Sequence, residues 1–232
     1  MRYGYGIDMT YIVFVLPALI FTFWAQWKVK STFAKYEKAA SDRGMTGADA
    51  ARLVLEANGV TGVSIERIAG KLTDHFDPKA NVIRLSESVY DARTAAAVGV
   101  AAHEAGHAAQ YALGYAPIRI RQAVIPATKI GTYAAWPLFF IGLLMSAKPL
   151  QLIGIVLFSA CVLFQLLTLP VEINASRRAT TALGNAGLSE EGLKAAKDVL
   201  TAAALTYVAA LASAVANLVR LISLFSSGSR RR

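Results

Sequence analysis

The sequence predicts a mainly α-helical, multi-pass membrane chain with a small β element. Three observations carry this expectation. Hydrophobic residues make up 55% of the 232 positions and charged residues only 17%, against roughly 45–50% and about 25% in average soluble chains. The mean hydropathy is +0.44. Four stretches are long and apolar, and short β-branched runs occur only between positions 60 and 85. A disordered chain is excluded, and an ordinary soluble domain does not fit. The single cysteine, Cys161, allows no internal disulfide.

The first apolar stretch, Met9 to Trp27, carries no charge. A bilayer core about 30 Å thick needs about 20 residues at 1.5 Å rise each, so the stretch suffices. No small-residue cleavage site follows it, and Lys28, Lys30, Lys35 and Lys38 do, so residues 1–27 read as a retained anchor rather than a signal peptide. Residues 28–130 read as the catalytic part. Within them Thr46-Gly-Ala-Asp49 resembles a capping box that opens an amphipathic helix, Ala48 to Ala57, closed by Asn58-Gly59. Val60–Ile68 and Asn81–Leu85 read as short strands, and Asp74–Pro78 as a turn. Asp91 to Tyr111 is an Ala-rich helix that ends near Gly114. The second and third apolar stretches, about Thr132–Ala147 and Leu150–Leu169, are separated by Lys148 and Pro149. So short a link predicts an antiparallel helical hairpin over residues 131–169. The rest, 170–232, contains a fourth stretch, about Ala202–Phe225, as a possible fourth membrane helix.

Charge placement sets the expected topology. Net charge is +9, and Lys28–Lys129 holds 14 Lys and Arg, against Arg2 before the first span and Lys148 at the hairpin tip. Basic residues concentrate in short cytoplasmic loops, so the catalytic part is expected at the cytoplasmic face of the cell membrane. A spanning fourth helix would place Arg230, Arg231 and Arg232 outside, which weakens that span. Lys28–Arg93 carries 11 positive and 9 negative residues. That is a mixed, solvated surface and not a basic stripe, so nucleic acid is not an expected partner. Anionic lipid of the bilayer accounts for the excess charge.

The chemistry sits in Ala102-His103-Glu104-Ala105-Gly106-His107. At 3.6 residues per turn His103 and His107 share one helix face, one turn apart, and both imidazoles can reach one Zn2+ ion. Glu104 points to the adjacent face, beside an open coordination position, as the general base. The motif uses two of the three histidines in the chain. A bland reading makes them satisfied residues of an Ala-rich core, but two histidines and a carboxylate in apolar surroundings are costly to bury without a partner. Gln110 and Leu113 exclude the longer metzincin motif. Candidate third ligands are Cys161, Glu172, Glu190, Glu191, Asp198 and His75. Cys161 lies inside an apolar stretch and reads as a small buried hydrophobe. Glu190 and Glu191 read as first-turn residues capped by Ser189. Glu172 follows the hairpin, which must leave the membrane on the side where it entered, so Glu172 is the favoured ligand. Against that stands a helix-start carboxylate after Pro170.

HEAGH followed by VEINASRRA, with DHFDP and NVIRLSESVYD upstream, resembles the YugP-like membrane zinc metallopeptidases over about Tyr36 to Leu211. These are similar in plan to the HtpX and CAAX prenyl protease group, which implies a gluzincin-like site. The resemblance implies His103, His107 and Glu172 as ligands, Glu104 as general base, and peptide or membrane-protein substrates. In the wider group an acidic residue that supports a ligating histidine stands where this chain has Ser176, so Ser176, Asn174 or another residue is expected to take that part. Three positions are softer. Asn81–Leu85 is a candidate edge strand for an extended substrate, with a plain core strand as the alternative. His75 and Tyr207 are oxyanion candidates, with a surface turn residue and a packed helix aromatic as alternatives. Arg177 or Arg178 is a candidate partner of a substrate carboxylate or of Glu172, or a juxtamembrane charge. The sequence thus reads as a membrane-embedded zinc endopeptidase. A non-catalytic metal-binding membrane scaffold is the alternative; a transporter finds almost no ionisable residue in the second and third stretches.

Overall fold

The structure, a computed structural model, describes residues 9–229, without the side chains of positions 127, 228 and 229. Arg2 and the Arg230–Arg232 tail, used above for topology, lie outside the described residues. The chain divides into two compact units, Gln26–Ile120 with Thr168–Thr206, and Met1–Ala25 with Arg121–Leu167 and Tyr207–Arg232. The boundary between them falls within four long helices: α1 (Leu16–Tyr36), α5 (Ala116–Leu144), α6 (Lys148–Asn185) and α7 (Glu190–Ser229).

The first unit holds the short elements. Helix α2, Gly47–Ala57, starts with the expected capping box: Thr46 Oγ1 accepts from the Asp49 amide, and the Asp49 carboxylate accepts from the Thr46 amide. Its buried face carries Val54 and Leu55. The sheet has three strands: β1 (Ser64–Ile68), β2 (His75–Asp77) and β3 (Val82–Ser86). Their order is β1-β3-β2, with β1 parallel and β2 antiparallel to β3. One sequence expectation is corrected here, and one open choice is decided. The Asp74–Pro78 segment contains a strand, because β3 supplies a partner that no local pattern announces. Of the two readings of Asn81–Leu85, edge strand or core strand, the core strand is the one observed: it lies between β1 and β2, and its Val82, Ile83, Leu85 and Ser86 are buried. A short helix α3, Glu87–Tyr90, follows. Helix α4, Ala95–Ala112, then begins at the Thr94 cap, four residues later than the composition suggested. Gly114 ends it with a positive φ. Thirteen of the 18 α4 residues are buried. The core around it joins Val54, Ile83, Leu85 and Val89 to Ala101, Ala105 and Ala109 and, from α6, to Ala179, Ala182 and Leu183. Small residues on α4 let its neighbours approach closely, which is why a helix of such weak amphipathicity can be central.

The second unit is helical. Helices α5 and α6 are joined by Met145–Ala147. They pack antiparallel through glycines: a Cβ on Gly131 would stand 2.9 Å from the Leu157 carbonyl oxygen, and one on Gly154 would stand 2.8 Å from that of Ala135. Backbones that approach so closely are the mark of small-residue helix packing. A cluster of Ala135, Phe139, Ile155, Phe158, Val162 and Leu221 fills this unit.

Among the described residues, three helices are long and apolar enough to cross a membrane: Tyr11–Tyr36, Lys148–Asn185 and Glu190–Ser227. The most apolar windows of these helices are only 17%, 22% and 28% buried inside the protein, which leaves most of their surface needing an apolar environment. The fourth stretch of the sequence thus lies in a qualifying helix, while α5, which carries the second, is not among the three.

The cap of α2 makes a prediction. The Thr46 hydroxyl and amide hold the Asp49 carboxyl below its usual range, so this carboxylate stabilises the fold at neutral pH and the contribution fades as pH falls through that lowered value. Thr46→Ala should lower stability by about 1 kcal/mol and weaken the acid dependence, read as detergent-solubilised thermal unfolding at pH 7 and below pH 4.

Candidate metal centre

Helix α4 carries His103, Glu104 and His107, and α6 carries Glu172 and Ser176. The backbones of the two helices come into contact at Gly106. A Cβ on Gly106 would stand 2.4 Å from the Ala175 carbonyl oxygen and 3.2 Å from the Ala175 Cα. No side chain fits there, so the helix backbones meet at Gly106 and the flanking residues face one another. His103 lies one turn before His107 on this face, and Glu172 lies one turn before Ser176 on the facing helix.

The result is a compact cluster. His103 Nε2 stands 3.1 Å from Glu172 Oε2, and His107 Nε2 stands 3.3 Å from the same oxygen. The rings meet edge to face with centroids 4.6 Å apart. One ligand atom from each of the three residues lies within 4.8 Å of the others, and these three alone form such a group among the described residues. Glu172 is 2% exposed and His107 9%.

The other ring nitrogens are also engaged. His103 Nδ1 lies 3.1 Å from Ser176 Oγ, and His107 Nδ1 lies 3.0 Å from Gln110 Oε1. The Gln110 amide donates to the Val171 carbonyl at 2.7 Å and to Asn174 Oδ1 at 3.0 Å, and Arg178 Nε donates to the same Asn174 oxygen at 2.9 Å. Both supports weighed from the sequence are therefore in place: Ser176 directly, and Asn174 through Gln110. Arg178 holds Asn174.

Glu104 faces the sheet. Its Oε2 accepts from the Phe76 amide at 3.0 Å. Phe76 stands opposite Ile83 in the register, and its N–H is turned away from the ladder towards α4. His75 is exposed on the same strand, with Nδ1 2.8 Å from the Thr73 carbonyl oxygen. Tyr207 lies on α7 in the other unit. The remaining ligand candidates are engaged elsewhere. Cys161 lies near Thr132, Asp198 accepts from Tyr36 and Lys194, and Glu190 and Glu191 occupy the first turn of α7, where Ser189 Oγ caps the Gly192 amide.

The donor set fits a divalent cation such as zinc. Two imidazole nitrogens and a carboxylate oxygen converge, which matches the three-ligand sets of catalytic zinc sites. The electrostatics agree. Burial opposes a charge on His107, yet the hydrogen bond to Glu172 and the charges of Glu104 and Glu172 raise its affinity for a proton. A pocket that draws positive charge onto a buried ring is suited to a cation.

Sequence reasoning missed Gln110, using it only to exclude a longer motif. A signal was present: Gln110 lies three residues after His107, on the same face, in a helix whose other strongly polar residues are His103, Glu104 and His107. It also missed that Phe76 would hold Glu104, because that contact depends on a strand pairing.

The close contact of α4 and α6 is directly testable. Gly106→Ala should drive the two backbones apart, since the added methyl would overlap a carbonyl oxygen. Overpacking of this kind costs about 1–3 kcal/mol, and zinc content of the purified protein should fall with thermal stability. A variant with wild-type stability and zinc content would refute the contact.

Comparison with known proteins supports this reading. Residues 11–226 match the family described as "Putative neutral zinc metallopeptidase". A relative from Bacillus subtilis (strain 168), described as "Putative membrane protease YugP", is 44% identical over 224 residues, covering 95% of this chain and 98% of its own length. No solved structure matches the chain.

Proposed function

The chain belongs to that neutral zinc metallopeptidase family, and we propose that it is a membrane-embedded zinc endopeptidase acting on membrane or membrane-associated proteins. In this proposal His103, His107 and Glu172 hold the metal in a gluzincin-like set, and Glu104 is the general base. The observation that carries it is the convergence of two Nε2 atoms and Glu172 Oε2 beside a carboxylate on the same helix.

Zinc, when bound, supplies a Lewis acid that polarises a scissile carbonyl and makes water more acidic. The protein's own groups do the rest. Glu104 takes the proton of the attacking water and passes it to the nitrogen of the departing amine. The Phe76 N–H holds Oε2, which leaves Oε1 for that proton. His75 on β2 and Tyr207 on α7 are the oxyanion candidates. The exposed apolar surface of the three long helices supports a membrane location, and the basic residues of Lys28–Lys129 support a cytoplasmic orientation of the site.

Glu104→Gln separates this reading from a metal-binding scaffold. The variant should retain zinc, because Glu104 is not a proposed ligand, while cleavage of casein or a membrane-protein substrate should fall by about 10²–10⁴-fold. Equal cleavage by variant and wild type would remove Glu104 from the chemistry. Wild type that carries zinc and cleaves nothing offered would favour the scaffold.

A further inference from the structure

We propose that Gln110 is a positioning residue that fixes the tautomer and ring orientation of His107, and so sets the strength of the metal site. The inference rests on the proposed metal site and adds a residue to it. Gln110 is fully buried, at 0% exposure, on a helix of alanines. Burying an amide is unfavourable unless its hydrogen bonds are made, and here both ends are used. The Val171 carbonyl can only accept, so the group that faces it at 2.7 Å is the NH₂. Asn174 Oδ1 takes the second amide hydrogen, and that oxygen is itself fixed because Arg178 Nε, which can only donate, points at it. Flipping the amide would set its oxygen against both the Val171 carbonyl and Asn174 Oδ1, acceptor to acceptor. Its Oε1 is therefore directed at His107 Nδ1, 3.0 Å away.

A carboxamide oxygen is only an acceptor. His107 Nδ1 must then carry the hydrogen, and in the neutral ring the lone pair is left on Nε2, the nitrogen 3.3 Å from Glu172. The sequence His107, Gln110, Val171 and Asn174 thus ties one proposed ligand to the backbone next to another, since Val171 immediately precedes Glu172. A glutamine serving packing alone would have no need to present its oxygen to an imidazole.

The test measures zinc affinity by chelator competition on the full chain in detergent, together with the visible spectrum of the cobalt-substituted protein and thermal stability. Gln110→Met keeps the volume and removes the acceptor. Zinc binding should weaken by about 10–100-fold and the cobalt spectrum should shift, as for lost partners of ligating histidines elsewhere. Gln110→Glu keeps an oxygen on Nδ1 but loses the donors to Val171 and Asn174, so zinc affinity should stay within about threefold of wild type while stability falls. Gln110→Met with wild-type affinity and an unchanged cobalt spectrum overturns the proposal. So does a folded Gln110→Glu protein that loses zinc tenfold or more, which also decides the matter should the Met variant not fold. Wild type that binds no zinc would instead overturn the metal site itself.

Discussion

The structure of the candidate site depends on the contact between Gly106 and the backbone of Ala175. Two helices far apart in sequence touch there with no side chain between them. This sets the separation of the facing residues one turn away on each side, and with it the 3.1 and 3.3 Å distances from the imidazoles to Glu172. A longer interaxial distance would leave the same residues present but unable to converge. The alanines around Gly106, from Ala101 to Ala109, extend the same geometry along the helix, since small side chains permit close approach over several turns.

Close approach has an electrostatic consequence. Glu172 is nearly inaccessible to water, and a buried carboxylate demands compensation. Two histidines supply it, and their remaining nitrogens find Ser176 and Gln110. The polar groups form one connected set reaching from His103 to Arg178, surrounded by aliphatic residues. Such a set is favourable when each member has a partner and costly when one is missing. Across the sheet the same principle appears at lower stakes. Arg84 bridges Glu66 and Asp77 in water, where the pairing contributes little to stability.

The helical unit obeys a different rule. Its interior is small, and its long helices present Phe23, Val156, Leu163 and Leu144 outwards. Apolar exposure on that scale requires an apolar surrounding, and three helices of 26, 38 and 38 residues provide the length to cross one. The glycine contacts between α5 and α6 suit such a setting, where van der Waals fit replaces hydrophobic burial as the force between helices.

Much of this was legible in the residues themselves. Local rules gave the capping box at Thr46, the end of α4 at Gly114 and the helical hairpin, because each is set by neighbours within a few positions. The pairing of His103 with His107 follows from helical period alone. Tertiary contacts decided the rest. The Asp74–Pro78 segment reads as a turn until β3 lies beside it, and the Asn81–Leu85 segment reads equally as an edge or a core strand until β1 and β2 are seen on its two sides. Gln110 is an unremarkable polar residue until Val171 and Asn174 orient its amide. The sequence by itself placed His103, Glu104 and His107 on one helix and pointed to Glu172 as a candidate partner. Only the tertiary structure brought that carboxylate beside the two imidazoles and set Ser176, Val171 and Asn174 around them, because those contacts cross 61 to 73 positions of chain and no local propensity extends that far.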